Sequence, residues 1–273
     1  MSIISGMRGT APYPNAPLAL AIVEVKHPTA GPLDSQALAS AKAILADFTP
    51  LQRVEQRAEV DLASGSQRTV VLPKLIARDK QTSVTFGAES IIIETTAYKG
   101  WQAFRALLSA SLNARQVVSP VEGFERIGLR YIDEIRILDV GNAVNWPDWV
   151  AAGLLGPWRM FEGLRLLQAQ QQGVSTYATD RADETYTLRY GAMEGPPVVG
   201  TAPNLVRRDM PSPGAFFLLD TDGAWELARD AGIPEFDLTE ILSIADRIHQ
   251  PIKDIFELSI TERLRKEVLE IGK

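Results

Sequence analysis

The segment Glu125 to Ile137, ERIGLRYIDEIRI, constrains this chain more than any other. Ile127, Leu129, Tyr131, Ile135 and Ile137 share one parity, while Arg126, Arg130, Glu134 and Arg136 share the other. A strand through the segment therefore presents one apolar face and one charged face. Asp133 falls on the apolar side. A carboxylate there needs partners or a raised pKa, because burying it unpaired costs on the order of several kcal/mol.

The rest of the 273-residue chain is ordinary globular material, 45% hydrophobic and 23% charged, enough for one large domain or two fused small ones. It contains no Cys, which excludes disulfides, thiolate nucleophiles and cysteine-ligated zinc or iron–sulfur centres and fits a cytoplasmic protein. A formal net charge of -6 argues against a broad phosphate-binding surface, so nucleic acid is not expected as a partner. Met1 to Gly9 lacks the charged-then-apolar layout of a signal peptide. No apolar run approaches the ~20 residues of a membrane helix, so no membrane association is expected and the bacterial-type cytosol is the expected setting.

Residues 1–17, with Pro12, Pro14 and Pro17, read as an irregular N-terminal arm. Leu18 to Lys26 alternates as a strand and is stopped by Pro28, Gly31 and Pro32. Asp34 or Ser35 can cap a helix carrying Leu38, Ala41, Ile44, Leu45 and Phe48 on one stripe. Pieces at about 51–63, 68–77, 81–87 and 89–97 follow as an antiparallel meander, and Trp101, Phe104, Leu107, Leu108 and Leu112 then mark a helix ending near Asn113. The order then repeats. Strand 125–138 leads to a short helical piece near 147–155, strands at about 161–179, 184–192 and 214–222, and a long helix. Asp237 with Glu240 is a capping box for that helix, and Pro251 should kink it.

These patterns predict an α+β protein: residues 18–273 as one unit of two similar halves, about 18–118 and 119–273. The halves, each strand–helix–meander–helix, would merge into one curved antiparallel sheet covered by helices, similar to saddle-shaped duplicated folds. The alternative is a single helix-grip-like domain, its sheet wrapped around the C-terminal helix with a cavity between them.

Catalytic templates are missing: there is no phosphate-binding glycine loop, nucleophile elbow or dinucleotide fingerprint. His27 and His249 stand alone, without ligand spacing, so no metal and no cofactor is expected. Arg126, Arg130, Asp133 and His249 remain as candidate binding or structural polar residues. For the arginine row, a salt-bridge ladder competes with an anion site. Asp220-Thr221-Asp222-Gly223 reads as a turn after a strand, with a shared-proton or cation pair as the competing reading. Trp146, Trp149 and Trp158, in an irregular region, are candidate interface anchors. Arg207 and Arg208 join them, on a long loop from Gly195 to Gly214 carrying Pro196, Pro197, Pro203, Pro211 and Pro213, which reads as a mobile loop or a binding element.

Arg126 to Asp133, RIGLRYID, resembles the "RIGLRYIN" signature of a sporadically distributed, uncharacterised bacterial family of about this length. Tyr98, Trp101 and Phe104 match its "Y-x-x-W-x-x-F", and His249, Phe256 and Ile260-Thr261 are similar to its closing "H…F…IT". The chain departs from the signature in carrying Asp at 133 where the family pattern has Asn. The resemblance carries over no activity. The family's patchy distribution is similar to that of mobile accessory genes such as toxin–antitoxin or phage-defence components.

Two functions stay open. One is a non-enzymatic binding protein that engages another protein, or a second copy of itself, through sheet and aromatic surfaces. The other is a small-molecule binder or cryptic hydrolase with a cavity between sheet and C-terminal helix, using Asp133, Arg130 and His249. It gains force if those three side chains converge.

Overall fold

A computed structural model describes residues 12–31, 33–60, 67–137, 144–157, 164, 170–198 and 205–270. The first half contributes β1 (Leu18–Lys26), α1 (Ser35–Ile44), β2 (Leu51–Val60), β3 (Gln67–Ile76), β4 (Thr82–Phe86), β5 (Ser90–Thr95) and α2 (Trp101–Val118). The second contributes β6 (Arg126–Ile135), β7 (Gly173–Ala178), β8 (Glu184–Gly195), β9 (Gly214–Glu226) and α3 (Leu238–Ser259). Among the described residues these strands form one nine-stranded antiparallel sheet, in the order β2-β3-β4-β5-β1-β6-β9-β8-β7. The order shows the duplication. In each half the first strand pairs with the last, β1 with β5 and β6 with β9, and the remaining strands run outward in reverse. β1 and β6 join the halves at the centre, with Ile22 opposite Arg130.

The helices lie on one face of this curved α+β sheet. Ala21, Val23 and Val25 of β1, Ile91 and Ile93 of β5, and Ile127 and Leu129 of β6 point there and are almost fully buried beneath Phe104, Leu108 and Leu112 of α2 and Ile241, Ala245 and Ile248 of α3. Each fully buried Ile, Leu or Phe contributes about 1.5–3 kcal/mol relative to exposure. Asp34 caps α1 by accepting from Ala37 N, and Asp237 caps α3 by accepting from Glu240 N, as the sequence predicts. No described helix is long and apolar enough to cross a membrane.

Several boundaries differ from expectation. α2 runs past Asn113 to Val118 because buried Ala114 and Arg115 prolong its inner face, and Pro120 follows its end. The predicted helical piece at 147–155 is two 3-10 turns, Trp146–Asp148 and Ala152–Leu154. The strand expected from 161 begins at Gly173, residues 161–163 and 165–169 lying outside the described set. Asp220-Thr221-Asp222-Gly223 is no turn: β9 continues through it to Glu226. Glycine is required at 223 by packing, since a Cβ there would sit 2.8 Å from Ile248 Cγ2 and from Tyr186 Cε1, and 3.0 Å from Ile252 Cδ1. α3 seats on the sheet at that point. Pro251 lies inside α3, which stays helical from Leu238 to Ser259.

Candidate functional site

Asp133 sits on the helix-covered face of β6, between Tyr131 and Ile135. The apolar packing divides at that position. Tyr131 belongs to the cluster under α2 and the first turns of α3, whereas Ile135 belongs to a second cluster with Trp146, Phe217, Leu219 and Ile260. A cavity of about 480 Å³ opens at the seam. β6 supplies Tyr131 and Asp133 and β9 supplies Thr221; α3 supplies His249, Ile252 and Phe256, Trp101 opens α2, and Tyr98 precedes it. Tyr13 and Ala16 of the N-terminal arm stand at its mouth. Tyr13 is fixed there by donating its hydroxyl to Glu257, at 3.1 and 3.0 Å from the two carboxylate oxygens.

The polar groups in the cavity form a short relay. Tyr98 Oη lies 3.4 Å from Tyr131 Oη, which lies 3.3 Å from His249 Nδ1. The His249 ring stacks on Trp101 with centroids 4.4 Å apart and planes 12° from parallel. Trp101 is held in turn by donating Nε1 to Asp246 at 2.7 Å, a carboxylate that Arg105 also grips. The imidazole is thus positioned from both sides.

Burial controls the protonation of this group. Asp133 is 7% exposed, and loss of water, followed by the nearby charge of Asp220, pushes its carboxyl up to about 8. Its side chain makes no hydrogen bond or ion pair among the described residues, so no donor offsets the desolvation. Burial also pushes His249 down to about 4, helped by Lys253 and opposed by Asp246. At neutral pH the floor of the cavity therefore carries a protonated carboxyl and a neutral imidazole, both able to donate or accept hydrogen bonds. Tyr98 is pushed up to about 12 by burial, and burial also raises Tyr131 well above its ordinary value, so both remain phenols.

Arg126 and Arg130 do not join Asp133. They project from the opposite face, where Arg130 grips Asp220 with two bonds of 2.7 Å and Arg126 Nη1 meets Glu24 at 2.8 Å. This is the salt-bridge ladder. The convergence of Arg130 with Asp133 and His249 is corrected on geometric grounds: residues 130 and 133 have opposite parity on one strand. Asp133 and His249 do share the cavity. Asp220 and Asp222, read from sequence as turn residues, belong to the ladder, and burial raises the carboxyl of Asp222 against the pull of Arg126 and Arg130.

Trp146 and Trp149, expected as interface anchors, are 6% and 5% exposed and pack into the second apolar cluster, with the Arg263 guanidinium 4.4 Å over the Trp149 ring. Buried in the fold, they offer no docking surface. Trp158 lies outside the described residues. Arg207 pairs with the buried carboxylate of Glu134, and Val198 N also donates to Glu134 at 2.9 Å. Val206 N donates to Lys80 O at 2.8 Å. The described parts of the long loop are thus tied to both halves, and residues 199–204 lie outside the description. Arg208 is exposed.

Sequence reasoning missed the tyrosines as functional groups. Tyr131 read as one more apolar position of its strand and Tyr98 as a core aromatic; the only available signal was that both carry a hydroxyl that burial forces to find a partner. It also missed a buried ion cluster on the opposite face, where Lys74 Nζ lies 2.5 Å from Glu55 and 3.5 Å from Glu94.

The site defines a class by geometry: a duplicated antiparallel α+β fold with an aromatic cavity between sheet and last helix. No family model matches the chain, and no curated protein is significantly similar to it. Three segments distant in sequence meet in the cavity, Tyr98 and Trp101 with Tyr131 and Asp133 and with His249 and Phe256.

Proposed function

We propose that this is a cytoplasmic binding protein that holds a small organic molecule in the cavity between β6 and α3. Membership of the "RIGLRYIN" family is part of the same reading. The observation that carries it is Asp133: a buried carboxyl with no hydrogen-bond or ion-pair partner among the described residues, facing a cavity of about 480 Å³. Burial disfavours the ionised form of such a carboxyl, and a ligand that hydrogen-bonds or pairs with it offsets that penalty. The volume falls in the ~300–1,000 Å³ range of small-molecule pockets, and the mixture of aromatic walls with a few convergent polar groups is typical of them.

A native mass spectrum of the protein, purified gently from cell extract, tests the reading. The expected result is an added mass of a few hundred daltons, on the order of a drug-sized ligand, that disappears in Ala16→Trp. That substitution fills the cavity mouth from an exposed position. A bare mass in both proteins counts against the cavity.

Engagement of a protein partner, in a defence or toxin–antitoxin-like system, is the second reading. The favouring observation is β7, an edge strand with no charged residue on which Val174 and Tyr177 are 67% and 51% exposed. Uncharged edges of this kind accept a further strand. A co-purifying chain or a clean multimer supports this reading.

A further inference from the structure

We propose that the ligand of the cavity carries a cationic nitrogen, an ammonium or amidinium head group, seated against Asp133 and enclosed by aromatic rings. This deepens the reading above and rests on it. Two independent features point to a cation. The first is the wall: Tyr98, Trp101, Tyr131 and Phe256, with Tyr13 at the mouth, surround the space, and aromatic faces attract organic cations, more strongly where water is excluded. The second is the charge of the lining. Asp133, Glu257 and Glu270 contribute three carboxyl groups against Lys253 as the cation among the described lining residues. Glu257 is already engaged by Tyr13 and by Arg265 at 3.0 Å, and Glu270 also has a partner. Asp133, at the floor, has no such partner among the described residues, and it is the group a cation would meet at the end of its path.

An anion suits the same space poorly. It would gain Lys253 and the phenols but would face the carboxyl groups, and ionisation of Asp133 would expel it. A neutral ligand would use Asp133 as a hydrogen-bonding acid and leave the aromatic faces to ordinary packing.

Binding of a cation is coupled to a proton. Asp133 must be ionised to form the ion pair, so each site that holds the proton passes it to solvent when the cation binds. The charged and titratable groups that share the cavity with Asp133 are Tyr131 on its own strand, Tyr13 of the arm, Tyr98 ahead of α2, His249, Lys253 and Glu257 on α3, and Glu270, with Asp220 behind it on β9. With the carboxyl titrating at about 8, affinity for a ligand that stays cationic weakens about fiftyfold from pH 8 to pH 6.

Calorimetric titration with tryptamine, phenethylamine and benzyltrimethylammonium, and with tryptophol and indole-3-acetate as neutral and anionic counterparts, tests the proposal at pH 6 and pH 8. The expected result is that at least one of the three cations binds, with the stated pH dependence and at least a tenfold loss in Asp133→Asn, and that tryptophol and indole-3-acetate bind more weakly. Equal binding of the neutral or anionic probe overturns the proposal, as does full affinity in Asp133→Asn or the absence of binding by all three cations. If a neutral or anionic probe binds and Ala16→Trp abolishes that binding, the cavity stands and only the cation falls. If no probe binds and the native spectrum is bare, both fall.

Discussion

Asp133 and Asp220 lie one rung apart on the paired strands β6 and β9, on opposite faces of the same sheet, and both are almost fully buried, at 7% and 4% exposure. Their surroundings differ. Asp220 accepts two bonds from Arg130, with Arg189 3.8 Å away, so its charge is compensated where it stands. Among the described residues Asp133 has neither cation nor donor, and it faces a cavity. The two faces teach that burial alone does not define a site. The same residue type, equally hidden, is structural where the fold supplies its partner and points to a ligand where the fold withholds one.

Replacing each carboxylate's environment should give opposite results. Asp133→Asn has the largest expected effect. The folded-state carboxyl titrates at about 8 against an ordinary value of 3.8. Folding therefore favours the protonated acid; the stability this group allows is intact below about pH 4 and is lost as pH rises through about 8. Asn removes that loss, so urea denaturation should find the variant more stable than wild type by about 5 kcal/mol at pH 8 and by under about 1 kcal/mol at pH 4. A variant that is less stable at pH 8 would break the comparison. Arg130→Met leaves Asp220 buried without its main partner. The loss should be about 2 kcal/mol, below the 3–5 of a fully buried pair because the guanidinium is partly open to water. If Arg130→Met is neutral, Asp220 is compensated by something other than Arg130.

Two smaller effects sharpen the contrast. Tyr131→Phe removes the hydroxyl between Tyr98 and His249 and should cost about 1 kcal/mol by thermal denaturation, with ligand retention weakened as well; an unchanged native spectrum would take Tyr131 out of the site. Arg126→Ala breaks a partly buried pair with Glu24 at the open face of the ladder and should cost under about 1 kcal/mol. A larger loss would mean that the whole ladder, not Arg130 alone, supports its face.

Much of this difference was legible in the alternation of one strand. Period two alone separates Asp133 from Arg126 and Arg130, and the same rule argues against the convergence of Arg130 with His249. The caps at Asp34 and Asp237 and the order of elements were legible too, because local chemistry sets them. Other features depend on what lies across the sheet. Asp222-Gly223 has the composition of a turn, yet the glycine is there to admit Ile248 and Ile252 of α3, and nothing near it in the sequence announces that helix. Trp146 and Trp149 follow irregular chain, which suggests exposure, but Phe217 and Ile260 close over them from distant segments. The relay of Tyr98, Tyr131 and His249 joins three elements more than 30 residues apart in sequence at each step, and no local pattern encodes it.

Carboxyl-carbon NMR of the ligand-free protein, with the Asp133 resonance assigned by its absence from Asp133→Asn, tests the central claim most directly. A titration midpoint near 8 is the expected result for an unpaired buried acid facing an open cavity. A midpoint in the ordinary carboxylate range near 4 would show that Asp133 has a partner after all, and the case for a ligand beside it would fail.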